Sequence, residues 1–296
     1  MVAARGRHRR GGHAGGVNAD PDEPGLGGAL AEPAAQDYIG GRDLTRWRTG
    51  AGRAVAHLAV RAARWVGPHW LLALTLLAGL VLVGSFTALA AEVYDAVVES
   101  DGVAVLDPMV LHAAEAVRTG PLNAVVIAYT NLGGPVGMPI LATAVAVLLA
   151  VAWRQWTPVL LMAATAAGSL AMTTVGKAVV GRSRPLEIDA VPPFEHGYSF
   201  PSGHTLNAVA IAGVAAYLLV RRQHRARTRI VTIAAAAAFA FLMGLSRVYL
   251  GLHWLTDVLV AWALGLAWLV TVITAHRLFL TVRRRRTDAV PDNNIQ

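Results

Sequence analysis

The sequence contains no cysteine, which excludes disulfides and cysteine-ligated metals. Charge is scarce too. Only 15% of the residues are charged and 55% are apolar, a balance typical of multi-span membrane proteins and rare in soluble domains. Lysine is almost missing: of 26 basic residues, Lys177 alone is a lysine. An ammonium is a compact point charge that a guanidinium does not replace, so a sole lysine marks a candidate site position; chance is the other reading. Acid is missing from most of the second half, where Asp257 is the only carboxylate between Glu195 and Asp288. A carboxylate inside an apolar run is costly and points to function.

The formal charge of +8 would suggest a nucleic-acid partner in a soluble chain. Here the arginines gather between apolar runs, the pattern of membrane topology, so no nucleic acid is expected. Residues 1–41 are rich in Gly, Ala, Pro, Arg and Asp and read as a disordered cytoplasmic tail. No apolar core follows the Arg5–Arg10 patch closely enough for a cleaved signal peptide. Residues 42–66 mix arginine with Leu44, Trp47, Val55, Leu58, Val60 and Trp65, as a basic amphipathic helix on a membrane surface would, although Gly50 and Gly52 interrupt it. The membrane domain is expected over 67–280, and a basic cytoplasmic tail over 281–296.

The expected spans are 70–91, 135–153, 158–180, 205–220, 230–245 and 254–275. Each is close to the length needed to cross a hydrocarbon core of about 30 Å. The residues between the first two spans are acidic and include a short amphipathic helix at 107–118 and a short apolar helix at 121–130, ended by Asn131-Leu-Gly-Gly-Pro135. Most of the arginines lie before the first span, at Arg154, at 221–229 and after 276. Six spans with both termini in the cytoplasm place all of these inside and leave 92–121, 181–203 and 246–253 outside. The expected fold is therefore an all-α bundle with its polar clusters on the extracytoplasmic side.

Three clusters carry the chemistry. In the first, Lys177 and Arg184 are seven residues apart and share a face if the helix continues, although Pro185 opposes continuation. A guanidinium fork and an ammonium together suit a phosphate. Arg182 reads as an ordinary interfacial anchor. In the second, Pro201-Ser202-Gly203-His204 forms a polar turn where an apolar run begins. Ser202 and Gly203 can offer a hydroxyl and backbone N–H groups to an anion at a helix N-terminus. His204 can protonate a leaving oxygen; a structural histidine is the alternative. In the third, Ser246-Arg247 precedes His253 and Asp257. His253 and Asp257 are i and i+4 if a helix starts near His253. The carboxylate would then hold one ring nitrogen and leave the other free to attack; a structural His–Asp pair is the alternative.

Lys177-(six residues)-Arg184-Pro185, then Pro201-Ser202-Gly203-His204, then Ser246-Arg247-(five residues)-His253-(three residues)-Asp257 resembles the three-part signature of the type 2 phosphatidic acid phosphatase family. Vanadium haloperoxidases and glucose-6-phosphatase belong to the same superfamily. The resemblance covers about residues 70–275. It implies that His253 is the nucleophile forming a phosphohistidine, that Asp257 orients it and that His204 is the general acid. It implies that Lys177, Arg184, Ser202, Gly203 and Arg247 hold the phosphoryl oxygens, with no metal and no cofactor. Many relatives carry proline two residues after the nucleophile, where this chain has Leu255.

Outside the signature, Glu195 and His196 read mainly as surface-loop residues. Asn207 reads as a polar neighbour of His204, and His112 and Glu115 as a solvated helix face. The expected function is hydrolysis of a lipid phosphate or diphosphate in a bacterial cytoplasmic membrane, with the site outward and no obligate protein partner. Undecaprenyl diphosphate is favoured, then phosphatidylglycerol phosphate or phosphatidic acid. A lipid phosphotransferase, a haloperoxidase and a non-enzymatic lipid-binding protein are the alternatives.

Overall fold

The computed structural model describes residues 38–39, 42–98 and 105–287, with only the backbone at several positions between 64 and 98. The expectations for the N-terminal tail and for 288–296 lie outside the described residues. After a two-residue antiparallel pairing of Tyr38–Ile39 with Arg42–Asp43, the chain is helical. The helices are α1 (Gly50–Val98), α2 (Leu106–Ala116), α3 (Gly120–Thr130), α4 (Gly137–Trp153), α5 (Thr157–Val180), α6 (Gly203–Arg222), α7 (Ala226–Tyr249) and α8 (Leu255–Thr287).

Among the described residues, α5, α6, α7 and α8 are each long and apolar enough to cross a membrane. Helices α3 and α4 meet at 55° and together make a fifth candidate. At 17 residues, α4 alone would reach only about 25 Å, and the polar break at 131–136 separates it from α3. The first expected span falls within α1, whose described apolar part is Leu72–Val81.

Helix α6 is the centre of the bundle. Leu206, Ala210, Val214 and Leu218 recur every four residues and are all fully buried, the stripe a helix needs to pack along its length. Close approach elsewhere depends on small residues. Trp268 of α8 lies so near Gly168 of α5 that a Cβ there would come within 2.0 Å of its ring. The same indole donates to the Thr165 carbonyl at 3.1 Å. The outside of the bundle is apolar: Leu148, Val151, Leu160, Ile230 and Leu266 are all exposed. Hydrocarbon is the solvent that such a surface fits.

Helix α1 breaks at Gly67, where φ is 80° and ψ is 163°. Gly50 and Gly52 do not interrupt it: Gly50 is its first residue and Gly52 lies in its first turn. Before the break, Ala56, Ala59 and Ala63 pack against Leu278 and Val282 of α8. Arg277 stacks over Trp47 at 4.3 Å and donates to the Leu44 carbonyl at 2.9 Å. These contacts hold the end of α8 beyond the expected span 254–275. It continues through Arg283–Arg286 to Thr287 because the early chain gives it a surface to pack on.

Candidate active site

Two segments at one end of the bundle carry the polar clusters: 181–202 between α5 and α6, and 250–254 between α7 and α8. A backbone hydrogen bond joins them, Val191 N–H donating to the Leu250 carbonyl at 2.8 Å. Arg118, just after α2, ties the first segment to the end of α7 by donating to the Asp189 carbonyl at 2.7 Å and the Tyr249 carbonyl at 2.8 Å. Gly251 makes the turn possible. Its φ is +69°, and a Cβ there would lie 2.3 Å from the Asp189 carbonyl oxygen, so two separate constraints demand glycine.

Helix α5 ends at Val180, with Gly181 left-handed at φ 63°. Lys177 and Arg184 therefore do not share a helical face; the left-handed glycine turns the chain before Arg184. The segment instead folds back so that both cations donate to one acceptor, the Tyr198 carbonyl. Arg184 also donates from Nη1 to the Leu252 carbonyl at 2.6 Å and lies 3.2 Å from His253 Nε2. A guanidinium can only donate, so His253 Nε2 is the acceptor and Nδ1 carries the proton.

His253 lies in the segment before α8, not on it, because α8 starts at Leu255. Its Nδ1 nevertheless faces Asp257 Oδ2 at 3.4 Å and Ser199 Oγ at 3.2 Å, and Ser199 donates to the same carboxylate oxygen. Asp257 is fully buried and also accepts the Trp254 N–H at 3.0 Å. A residue in the first helical turn that reaches back to the preceding N–H makes half of a capping box. Asp107, from α2, accepts the Thr256 N–H at 2.9 Å. Two carboxylates thus satisfy donors at the start of α8, where the helix dipole favours negative charge. The absence of proline at Leu255 leaves this start intact.

Arg182 is not a simple interfacial anchor. Its Nη1 binds Asp257 Oδ1 and its Nη2 binds Asp107 Oδ2, both at 2.7 Å. One arginine joins the carboxylate behind His253 to a second carboxylate, on α2, that is itself only 2% exposed. Burial of three charges is tolerable only when pairing and hydrogen bonding are this complete.

On the other side of His253 lie Arg247, His204 and Glu195. Arg247 is 1% exposed. It donates to Thr130 Oγ1 at 3.0 Å and to Glu195 Oε1, and its buried Nε has no hydrogen-bond partner. Glu195 Oε2 lies 3.2 Å from Arg184 Nη2, and Oε1 lies 3.8 Å from His204 Nε2. Burial raises the Glu195 carboxyl, but Arg247, His204, His253 and Arg184 outweigh it and hold the group down to about 2. Burial pushes the His253 imidazole down to about 4, against the hydrogen bond and charge of Asp257. Ser202 is buried and precedes α6, with its N–H 3.4 Å from the Asp257 carbonyl. Gly203 and His204 open α6, where the first N–H groups lack intrahelical acceptors.

An apolar groove leads to this set. It has a volume of about 540 Å³ and runs between α4, α5 and α6, lined by Met138, Ala142, Met162 and Leu170, with His204 and Asn207 at its polar end. Ser169 donates to Asn207 Oδ1 at 2.7 Å inside the groove.

Residues 141–280 match the family model described as PAP2 superfamily. The chain is also 33% identical over 187 residues to phosphatidylglycerophosphatase B of Bacillus subtilis (strain 168), covering 61% of this chain and 86% of that protein. The chain belongs to the PAP2 superfamily. A shorter match to phosphatidylglycerophosphatase B of Haemophilus influenzae is 44% identical over 74 residues, 24% of this chain and 30% of that one. The crystal structure of a transmembrane PAP2-type phosphatidylglycerolphosphate phosphatase from Bacillus subtilis superposes with a TM-score of 0.54 at 28% identity, covering 72% of this chain and 97% of that one. This PAP2 protein is accordingly a multi-pass membrane lipid phosphatase, the family that the three-part signature resembled.

Several PAP2 site neighbours lay outside the sequence reading. Ser199 belongs to the polar turn but no motif position points to it. Asp107 was not singled out in the acidic segment between the first two spans, because its partners are about 75 and 150 residues away in sequence. Glu195 read mainly as a surface residue, yet it sits among three of the expected site residues. His112 remains on an exposed face, as expected.

Proposed function

We propose that this chain hydrolyses the phosphomonoester of an anionic glycerolipid, of which phosphatidylglycerol phosphate is the first candidate, through a phosphohistidine on His253. The observation that carries this reading is the state of His253. Arg184 on one side and Asp257 with Ser199 on the other hold the imidazole with its Nε2 lone pair turned toward the cations. In the reaction Nε2 attacks phosphorus, and Arg184 moves from the ring nitrogen to a phosphoryl oxygen. The bond from phosphorus to the lipid oxygen breaks, and His204 gives that oxygen its proton. Water then attacks the phosphohistidine, passes a proton to His204 and releases inorganic phosphate. Lys177, Arg184, Arg247 and the N–H groups at Ser202 and Gly203 stabilise the charge on the equatorial oxygens. No metal or cofactor has a place in this scheme.

The groove ending at His204 suits a lipid tail, because it places an apolar chain next to the group that protonates the leaving oxygen. The names of the curated relatives move phosphatidylglycerol phosphate ahead of undecaprenyl diphosphate in the order of candidates. Six spans, both termini in the cytoplasm and an outward-facing site in a bacterial cytoplasmic membrane complete the proposal, on the distribution of arginine.

The test is phosphate release by the purified protein in detergent with EDTA present. Phosphatidylglycerol phosphate, phosphatidic acid and undecaprenyl diphosphate are compared, with His253→Ala as control. The expected result is EDTA-resistant release that His253→Ala abolishes, fastest with phosphatidylglycerol phosphate. Loss of lipid phosphate without free phosphate would instead indicate transfer to another acceptor.

A further inference from the structure

The segment 181–202 brings an anion of its own into the cation set. Glu195 pairs with Arg247 and Arg184 and lies beside His204. A phosphoryl group in line with His253 Nε2 needs the same two guanidinium groups, and two anions cannot share them. Glu195 can leave: it is 31% exposed and sits on a loop, whereas Arg247 is buried at 1%. Its low pKa keeps it ionised at any working pH, so the competition is permanent.

We propose that Glu195 is a specificity-determining residue, an internal monoanion that a substrate must displace from Arg184 and Arg247, so that phosphomonoester ends are accepted and phosphodiester head groups refused. The proposal rests on reading these residues as the phosphate site. A phosphodiester has one negative charge and two free oxygens, as a carboxylate has. Replacing Glu195 with it gains no charge and loses the advantage of a tethered group, whose effective concentration is about millimolar or higher. A phosphomonoester has a charge of about −1.5 to −2 and three acceptor oxygens. Its additional oxygen has donors ready in the unpartnered Nε of Arg247 and the start of α6. Discrimination of this kind is a difference of affinities created by a competing group. It matters in a bilayer, where phosphodiesters are the bulk lipid and would otherwise fill a site with this many cations.

The experiment uses the full chain in detergent, as wild type, Glu195→Gln and Glu195→Ala. Dioctanoyl phosphatidic acid is the substrate and dioctanoyl phosphatidylglycerol the competing diester. Both variants should lower KM for the monoester and lower the inhibition constant of the diester further, so that the ratio of the second to the first falls about tenfold. An unchanged or larger ratio would overturn the proposal. A fall in kcat at constant ratio would also overturn it and would place Glu195 in the service of His204. Calorimetric binding of the same two lipids in a His253→Ala background reads the ratio without turnover. Wild-type protein that releases no phosphate would therefore sink the phosphatase reading alone, and the role of Glu195 would still be decided by binding.

Discussion

His253 is a buried imidazole with a defined proton. Arg184 can only donate to Nε2, so the proton sits on Nδ1 and the lone pair faces the cations. Burial keeps the ring neutral down to about pH 4 despite Asp257 behind it. A histidine-selective NMR titration of the substrate-free protein, with His253→Ala for assignment, should find that resonance inflecting near pH 4; an inflection at the ordinary value near 6.5 would show a solvated ring. Ser199 stands between Nδ1 and the carboxylate. Ser199→Ala should lower kcat by about tenfold with little change in KM, because it loosens the ring without touching a phosphoryl oxygen. The roles proposed for His253, Asp257, His204 and the cations come from contiguous motifs that the sequence displays openly. Ser199, Glu195 and Arg182 were not legible in that way. Each acts through a partner far along the chain, and a single sequence carries no signal for such a pairing.

Helix α2 helps to position groups in the site. Its Asp107 caps the start of α8 and holds Arg182, which holds Asp257. Replacing Asp107 by asparagine removes the charge and the Oδ2 acceptor that Arg182 and the Thr256 hydroxyl share. Asp107→Asn should therefore cut kcat by about a hundredfold through misplacement of His253. Kinetics at saturating lipid, with circular dichroism to confirm an intact bundle, would check this. A retained kcat would mean that Arg182 alone suffices. The turn before His253 depends on Gly251, and Gly251→Ala meets both a left-handed backbone and the Asp189 carbonyl. It should cost about 1–3 kcal/mol of stability and most of the activity, as read by thermal unfolding and phosphate release. The sequence places the boundaries of α6 and α7 within a few residues because caps and arginines mark them. It leaves open whether the neighbouring helices continue through Arg184 and His253, because hydropathy does not show where a left-handed glycine or a carboxylate cap ends or starts a helix.

The whole molecule places a polar site at one end of an apolar bundle, beside an apolar groove between α4, α5 and α6. The alternation of arginine-rich and arginine-poor segments is the ground for the proposed orientation, while the 55° bend between α3 and α4 was visible in sequence only as a glycine–proline interruption. The native chain has no cysteine, so single cysteines report topology cleanly. In intact cells a membrane-impermeant maleimide should label a cysteine at position 187 or 196 and should label one at 155 or 224 only after permeabilisation; the reverse pattern would turn the site inward. The central claim, that His253 carries the phosphoryl group, is tested most directly by trapping. Phosphatidic acid labelled with ³²P is mixed with the protein, quenched in alkali and digested. The account predicts alkali-stable, acid-labile label on the peptide containing His253, and none in His253→Ala. Steady phosphate release with no trapped label, or release that survives His253→Ala, would contradict it.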